Sequence, residues 1–205
     1  MTSLFYKSSF LYNFMLNFIH KDFLKKRYEL ISKIIGKNKK VLEVGCGTSL
    51  IKHFLDKSVD YEGWDLNKKF IIDSKKKGLN VKLKSAFDYK SYPKVDVILI
   101  VDFLHHIAPR HEELLKMIRK NAKRIIIIEP FILRSSFRYR LKKLNNPLLN
   151  LSMLTLINLF GDNDGINKHE VLCEWNYSKE SLKKFFKNNG AKKIFGLGKD
   201  LIAVI

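Results

Sequence analysis

The chain has 205 residues, a length that suits one domain with a sizeable core, and its 46% hydrophobic and 12% aromatic content excludes general disorder. Its 39 Lys and Arg against 20 Asp and Glu leave a net charge of +19, the footprint expected for nucleic acid, an anionic membrane surface or an acidic substrate. Lys supplies 32 of the 39 and is scattered, which is equally the mark of a Lys-rich composition, and two cysteines (Cys46 and Cys173) exclude a disulfide scaffold or a four-cysteine zinc site and favour a reducing compartment.

Residues 1–36 read as an N-terminal helical cap. Phe5, Tyr6, Phe10, Tyr12, Phe14, Phe18, Phe23 and Tyr28 recur at roughly helical spacing, with Lys25, Lys26 and Arg27 behind them. The stretch lacks the unbroken apolar core and cleavage site of a secretory signal. After Gly36 and Asn38 the pattern changes to short β-branched runs alternating with helices, which predicts βαβ units and a parallel sheet. Strands are expected at 40–44, 61–64, 81–85, 95–101 and 124–128, and helices at 50–57, 68–77 and 109–120. The run VDVILIV at 95–101 is near-continuously apolar, as a central strand buried on both faces should be.

The alternation breaks between 131 and 175, which reads as a lid insertion with amphipathic helical character. Residues 131–160 hold Arg134, Arg138, Arg140, Lys142 and Lys143 and no acid, and 144–161 carry no charge. Polar residues such as Asn145, Asn146, Asn150 and Asn158 make that stretch unsuited to spanning a membrane, and no transmembrane helix is expected. A helix over 179–188 capped by Ser178 follows. Strands at 192–195 and 201–205, joined by a tight turn at 196–199, close the chain as an antiparallel hairpin.

The chemistry concentrates where 40–44 ends. Glu43-Val44-Gly45-Cys46-Gly47-Thr48-Ser49 is a strand running into a Gly turn, whose glycines allow close backbone approach to a ligand and whose amides favour a polar or anionic group. A dinucleotide fingerprint would need a third Gly at position 50, where Leu50 stands. Asp65 closes the second strand 22 residues after Glu43, where a carboxylate can accept both hydroxyls of a ribose. No metal constellation is visible; Asp162-Asn163-Asp164-Gly165 starts like a calcium loop but brings its Gly too early.

These segments resemble the class I S-adenosylmethionine-dependent methyltransferases, and among them the small type-11-like subgroup. VLEVGCGTS resembles the first motif, with Ser49 in place of its third Gly. Trp64-Asp65 resembles the second, Ser85-Ala86-Phe87-Asp88 the third, and 95–107 with its Leu104-His105-His106 tail the fourth. Ile127-Ile128-Glu129-Pro130 resembles the end of the fifth strand. The likeness spans 38–130 and 178–205. It implies an α/β fold, a Rossmann-like, doubly wound, mostly parallel seven-stranded sheet with a C-terminal antiparallel hairpin strand and a helical lid insertion, in a single domain over 1–205.

It also implies S-adenosylmethionine as cofactor and assigns residues to it. Gly45, Cys46 and Gly47 would pass under the methionine part, with Glu43 orienting the turn or meeting the ammonium. Asp65 would hold the ribose and Leu66 the adenine face. Ala86 and Phe87 would flank the adenine, with Asp88 bonding its edge or merely capping a loop. Val101 and Asp102 would line the pocket below the sulfonium. Methyl transfer needs alignment first and a base only for acidic or protonated acceptors. His106 is the expected pocket-facing base, His105 packing beside it, with Glu129 and His169 as rivals.

The basic and apolar faces of the lid and the aromatic N-terminus point to a small or lipid-like, lipid-linked acceptor and to peripheral contact with an anionic membrane. The expected location is the cytoplasm or, peripherally, the inner membrane face. The charge supports a nucleic-acid methyltransferase as the alternative, although Asp102-Phe103-Leu104-His105 stands where a base-flipping tetrapeptide would be. A noncatalytic partner subunit is the third reading, opposed by intact Gly45, Gly47 and Asp65.

Overall fold

The computed structural model describes residues 3–20, 22–131, 164, 166 and 175–205. Most of the expected lid lies outside them, with its basic cluster, His169 and Cys173. Seven strands form one sheet: β1 (Lys40–Val44), β2 (Asp60–Asp65), β3 (Val81–Leu83), β4 (Val95–Val101), β5 (Ala122–Pro130), β6 (Lys193–Leu197) and β7 (Asp200–Val204). Their order is β3-β2-β1-β4-β5-β7-β6. The first five are parallel, and β7 runs antiparallel to both β5 and β6. The order reverses between β1 and β4, so the chain leaves a crevice at the carboxyl ends of those strands, where open α/β sheets bind ligands.

The helices are α1 (Ser9–His20), α2 (Asp22–Ile35), α3 (Lys68–Lys76), α4 (His111–Ile118) and α5 (Lys179–Asn188). They cover the two faces of the sheet. One apolar cluster joins Leu42, Ile98, Ile100 and Ile127 to Leu114, Ile118, Leu182 and Phe186 of α4 and α5. The other joins Val41, Val97, Leu99 and Ile126 to Leu24, Tyr28, Ile31 and Ile35 of α2. Adjacent residues of β4 therefore serve opposite cores, and each fully buried aliphatic side chain contributes about 1.5–3 kcal/mol.

Several boundaries differ from expectation for local reasons. The helix expected at 50–57 is a single 3-10 turn, Leu50–His53. Ser49 enters it at φ +55 without a side-chain cap, and Asp56 then accepts hydrogen bonds from the Ser58 amide and hydroxyl, turning the chain away. The strand expected at 81–85 stops at Leu83, because Ser85 accepts the Phe87 and Asp88 amides and starts a turn. The helix expected at 109–120 is shorter at both ends: an Arg110-to-Ile107 turn precedes it and a 3-10 turn, Arg119–Asn121, ends it. The closing hairpin turns at 198–199, two residues rather than four. Among the described residues no helix is long and apolar enough to cross a membrane.

Candidate active site

The strand-to-turn junction after β1 is held by its own backbone. Gly45 stands at φ +69, and a Cβ there would lie 2.2 Å from the Phe103 ring. Gly47 stands at φ +53 beneath Tyr12 of α1. The Gly45 and Cys46 amides both donate to the Trp64 carbonyl, at 2.8 and 3.0 Å, and the Gly47 amide donates to Asp65 Oδ2 at 2.8 Å. The amides expected to face a ligand are thus spent within the turn, which offers close approach rather than donors. Asp65 Oδ1 accepts the Asn67 amide at 2.7 Å. Burial raises the Asp65 pKa above its ordinary value, against the opposing pull of the Asn67 and Gly47 amides.

The N-terminal segment lies over this turn. Thr48 donates to Asn13 Oδ1 at 2.6 Å, Ser9 donates to Asp73 at 2.7 Å, and Asn67 donates to the Tyr6 carbonyl at 3.0 Å. Tyr6 comes from a 3-10 turn, Leu4–Lys7, and packs among Tyr12, Phe70 and His106.

The loop after β4 is held from farther away. Asp102 takes φ +50, its amide donates to the Ile128 carbonyl, and Arg27 donates to its Oδ2 at 2.6 Å. The Arg27 side chain is fully buried and also meets Asp200 of β7 at 3.1 Å. Burial works against the guanidinium charge, but Asp102 and Asp200 overcome it and hold the Arg27 pKa above its ordinary value. Burial lifts Asp200 to about 6, with Arg27 pulling down and Asp102 and Glu129 pushing up. Glu129, wholly buried on β5, accepts the amides of Phe103 and Leu104 at 2.8 and 2.5 Å, and His105 Nδ1 lies 2.7 Å from its second oxygen. His106 packs against His105 with ring centroids 4.2 Å apart and planes tilted by 34°, and its Nε2 is 3.5 Å from the Tyr6 hydroxyl.

Gly45, Gly47, Asp65, Leu66, Ala86, Phe87, Asp102 and His106 come together around one pocket, joined by Asp164 and Ile166. Glu43, Cys46, Asp88 and Val101 lie outside its lining. Strand alternation turns Glu43 and Val101 to the α2 face of the sheet. There Tyr61 donates a hydrogen bond to Glu43, whose carboxyl burial lifts to about 8. Cys46 is buried against Gly63, and burial pushes its thiol up. Asp88 accepts from Ser91 at 2.5 Å and so caps its own loop. Of the two histidines, His106 is the one in the lining, while His105 holds Glu129. Glu129 serves as the buried anchor of the loop.

The sequence reading assigned no role in the site to Tyr6, Phe103 or Arg27. Nothing local marks Tyr6. Arg27 did carry a signal, since it shares the inward stripe of α2 with Leu24, Ile31 and Ile35, and a cation on an apolar stripe needs a buried partner.

The residues present fit the expected cofactor. The backbone comes close at Gly45 and Gly47, and a carboxylate offers about four acceptor positions, so Asp65 keeps two after serving its two amides. Leu66, Ala86 and Phe87 supply apolar contacts beside it. Lys84 lies 4.5 Å from the Trp64 ring and Arg110 3.7 Å from the Phe87 ring, covering the outer side of those aromatics.

A family model described as a methyltransferase domain matches residues 18–194. No curated relative matches the chain in sequence. Among solved structures, an S-adenosylmethionine-dependent methyltransferase from Aquifex aeolicus is 18% identical with a TM-score of 0.53, covering 87% of this chain and 89% of its own. The CurJ carbon methyltransferase is 15% identical with a TM-score of 0.60 over 92% of this chain and 56% of its own. The cyclopropane synthase MmaA2 from Mycobacterium tuberculosis is 14% identical with a TM-score of 0.58, over 83% and 62% respectively. These likenesses establish the fold.

Proposed function

The chain belongs to the methyltransferase-domain family and uses S-adenosylmethionine, and from that premise we propose that it methylates an apolar, lipid-like acceptor with His106 as the general base. The observation that carries the acceptor class is the wall around His106. Tyr6, Phe70, Phe103, Ile107 and Ile166 line the same pocket as His106, and Tyr6 meets its ring edge-on with centroids 6.3 Å apart, while Asp65, Asp102 and Asp164 bring acidic groups to that lining. An acceptor seated against that wall gains from apolar contact and excludes water from the reacting atoms. The cofactor supplies an electrophilic methyl group on a sulfonium, for which sulfur is the leaving atom.

The chain's own residues then have three tasks. Gly45, Gly47, Asp65, Leu66, Ala86 and Phe87 bind and orient the cofactor. Glu129 and Asp102 fix the loop that carries His106, and orientation of this kind can supply most of the acceleration. His106 accepts the proton of an acceptor hydroxyl or amine, which an imidazole can do near neutral pH. On this reading the enzyme works in the cytoplasm, where Cys46, a buried free thiol, stays reduced.

Incubation with methyl-labelled cofactor and fractionated cell extract tests the acceptor. Label in the lipid extract supports the reading. Label in RNA would replace it with the nucleic-acid alternative that the +19 charge favours. His106→Ala should leave cofactor affinity unchanged and slow transfer by about 100-fold or more, while Asp65→Ala should weaken cofactor binding itself.

A further inference from the structure

Phe10, Phe14 and Phe18 of α1 are 77%, 61% and 70% exposed. Their spacing of four puts them in one row along the helix, and exposed Leu11 and Leu4 extend the apolar surface. The opposite side of α1 carries Tyr12, Asn13 and buried Met15, which face the glycine turn and the core. A contiguous row of exposed phenylalanines is unfavourable in water and marks a surface that another phase covers. The sequence of α1 contains no Asp, Glu, Lys or Arg.

We propose that this row docks on an anionic bilayer, and that docking and cofactor binding reinforce each other because α1 is also the roof over Gly47. Charge selects the occupant. Exposed Lys7 precedes the helix and exposed Lys25 and Lys26 follow it, with Lys26 lying 5.7 Å from the Phe23 ring. Each basic residue near an anionic surface adds to the attraction. A second copy of a chain carrying +19 would meet like charge instead. Single-stranded nucleic acid needs cations interleaved with the stacking rings, and the Phe10–Phe18 row has none.

Coupling follows from the attachments of α1. The contacts Thr48–Asn13, Asn67–Tyr6 and Ser9–Asp73 tie the segment to the turn and to α3. A ligand that orders the turn steadies the helix that meets the bilayer, and linkage makes the benefit mutual. The inference deepens the lipid-like reading by naming the surface that would bring such an acceptor to the pocket, and it rests on that reading only for its purpose.

The test is co-sedimentation of the full chain with phosphatidylglycerol/phosphatidylcholine vesicles. Wild type should bind these and bind phosphatidylcholine alone far less. Phe10→Ser/Phe14→Ser/Phe18→Ser should lower the vesicle partition by at least about tenfold while calorimetry without vesicles finds cofactor affinity unchanged. Lys25→Glu/Lys26→Glu should weaken the preference for anionic vesicles. Saturating S-adenosylhomocysteine should raise wild-type partition by about twofold or more; no change overturns the coupling. Docking is overturned by a wild type that ignores the vesicles, by a triple variant that binds them equally, or by tRNA binding or dimerisation that depends on the same three phenylalanines. Transfer to a detergent-dispersed lipid by the triple variant at the wild-type rate would leave the acceptor reading standing where docking had failed.

Discussion

At the carboxyl ends of β1 and β2, the pocket is held mainly by backbone and by buried groups that burial keeps protonated. Gly45 and Cys46 bond the Trp64 carbonyl, and Glu43, neutral until about pH 8, bonds Tyr61 beneath them. At the ends of β4, β5 and β7 the same pocket is held by acidic side chains, Asp200 and Glu129 buried and Asp102 partly so, and one buried cation: Arg27 between Asp102 and Asp200, and Glu129 under Phe103, Leu104 and His105. The contacts named for the first end join residues 18 or 19 apart, those named for the second residues up to 173 apart. A turn that must receive a cofactor closely is built from small, local pieces. A loop that must aim a histidine is clamped by groups from α2, β5 and β7.

The comparison breaks most visibly at Arg27. Arg27→Met leaves buried Asp200 and partly buried Asp102 without their cation, which should cost about 3–5 kcal/mol in chemical denaturation. A loss under about 1 kcal/mol would mean that ions do not hold this end. Gly45→Ala is the matching test of the other end. Positive φ and a Cβ placed 2.2 Å from the Phe103 ring, with Phe103 Cβ itself at 2.9 Å, leave little room for relaxation. Strain and overpacking together should cost about 3 kcal/mol, and cofactor affinity by calorimetry should fall with stability. If Gly45→Ala binds cofactor like wild type, the turn is not the close approach.

The same contrast explains what was legible in the sequence. Strand ends and turns carry local signals, so Gly45, Gly47, Asp65, Ala86 and Phe87 were found where the pocket is. Strand alternation turns Glu43 and Val101 to the α2 face of the sheet, outside the pocket lining, a detail that motif likeness does not resolve. Of the two roles the sequence left open for Asp88, the structure shows the loop cap, its carboxylate accepting from Ser91. The parallel sheet and the closing hairpin followed from period and punctuation, whereas the seven-stranded, doubly wound arrangement came with the family resemblance. The clamp on the His106 loop did not, because pairings between residues 27, 102, 129 and 200 leave no trace in spacing.

Glu129→Gln is a finer probe of the charged end. The amide keeps an oxygen for the Phe103 and Leu104 amides and loses the acceptor beside His105 Nδ1. The expected cost is about 1 kcal/mol of stability. Cofactor affinity should be nearly unchanged, while the transfer rate falls about tenfold through misaligned His106. Equal losses in affinity and rate would assign Glu129 to the fold in general rather than to this loop.

The smallest effect is the pH dependence of the neutral end. Burial lifts the Glu43 carboxyl to about 8 from an ordinary 4.5, so the folded chain holds a proton that the unfolded chain releases. Stability from this group is complete below about 4.5 and is lost as pH rises through about 8, since the unfolded state binds fewer protons across that window. Glu43→Gln removes the titration and keeps an oxygen to accept from Tyr61. Its melting temperature should therefore decline less than that of wild type between pH 6 and 9, with the two proteins diverging most above pH 8. Asp200, lifted to about 6 from 3.8, has its window lower, so Asp200→Asn should flatten the curve on the acid side of pH 6 and leave the alkaline limb alone. Parallel alkaline limbs for wild type and Glu43→Gln would show that the β1–β2 end is charged at neutral pH like its counterpart. Because the Glu43 side chain faces away from the pocket, Glu43→Gln should also bind cofactor within about twofold of wild type at pH 7; a larger loss would restore this carboxylate to the cofactor's ammonium.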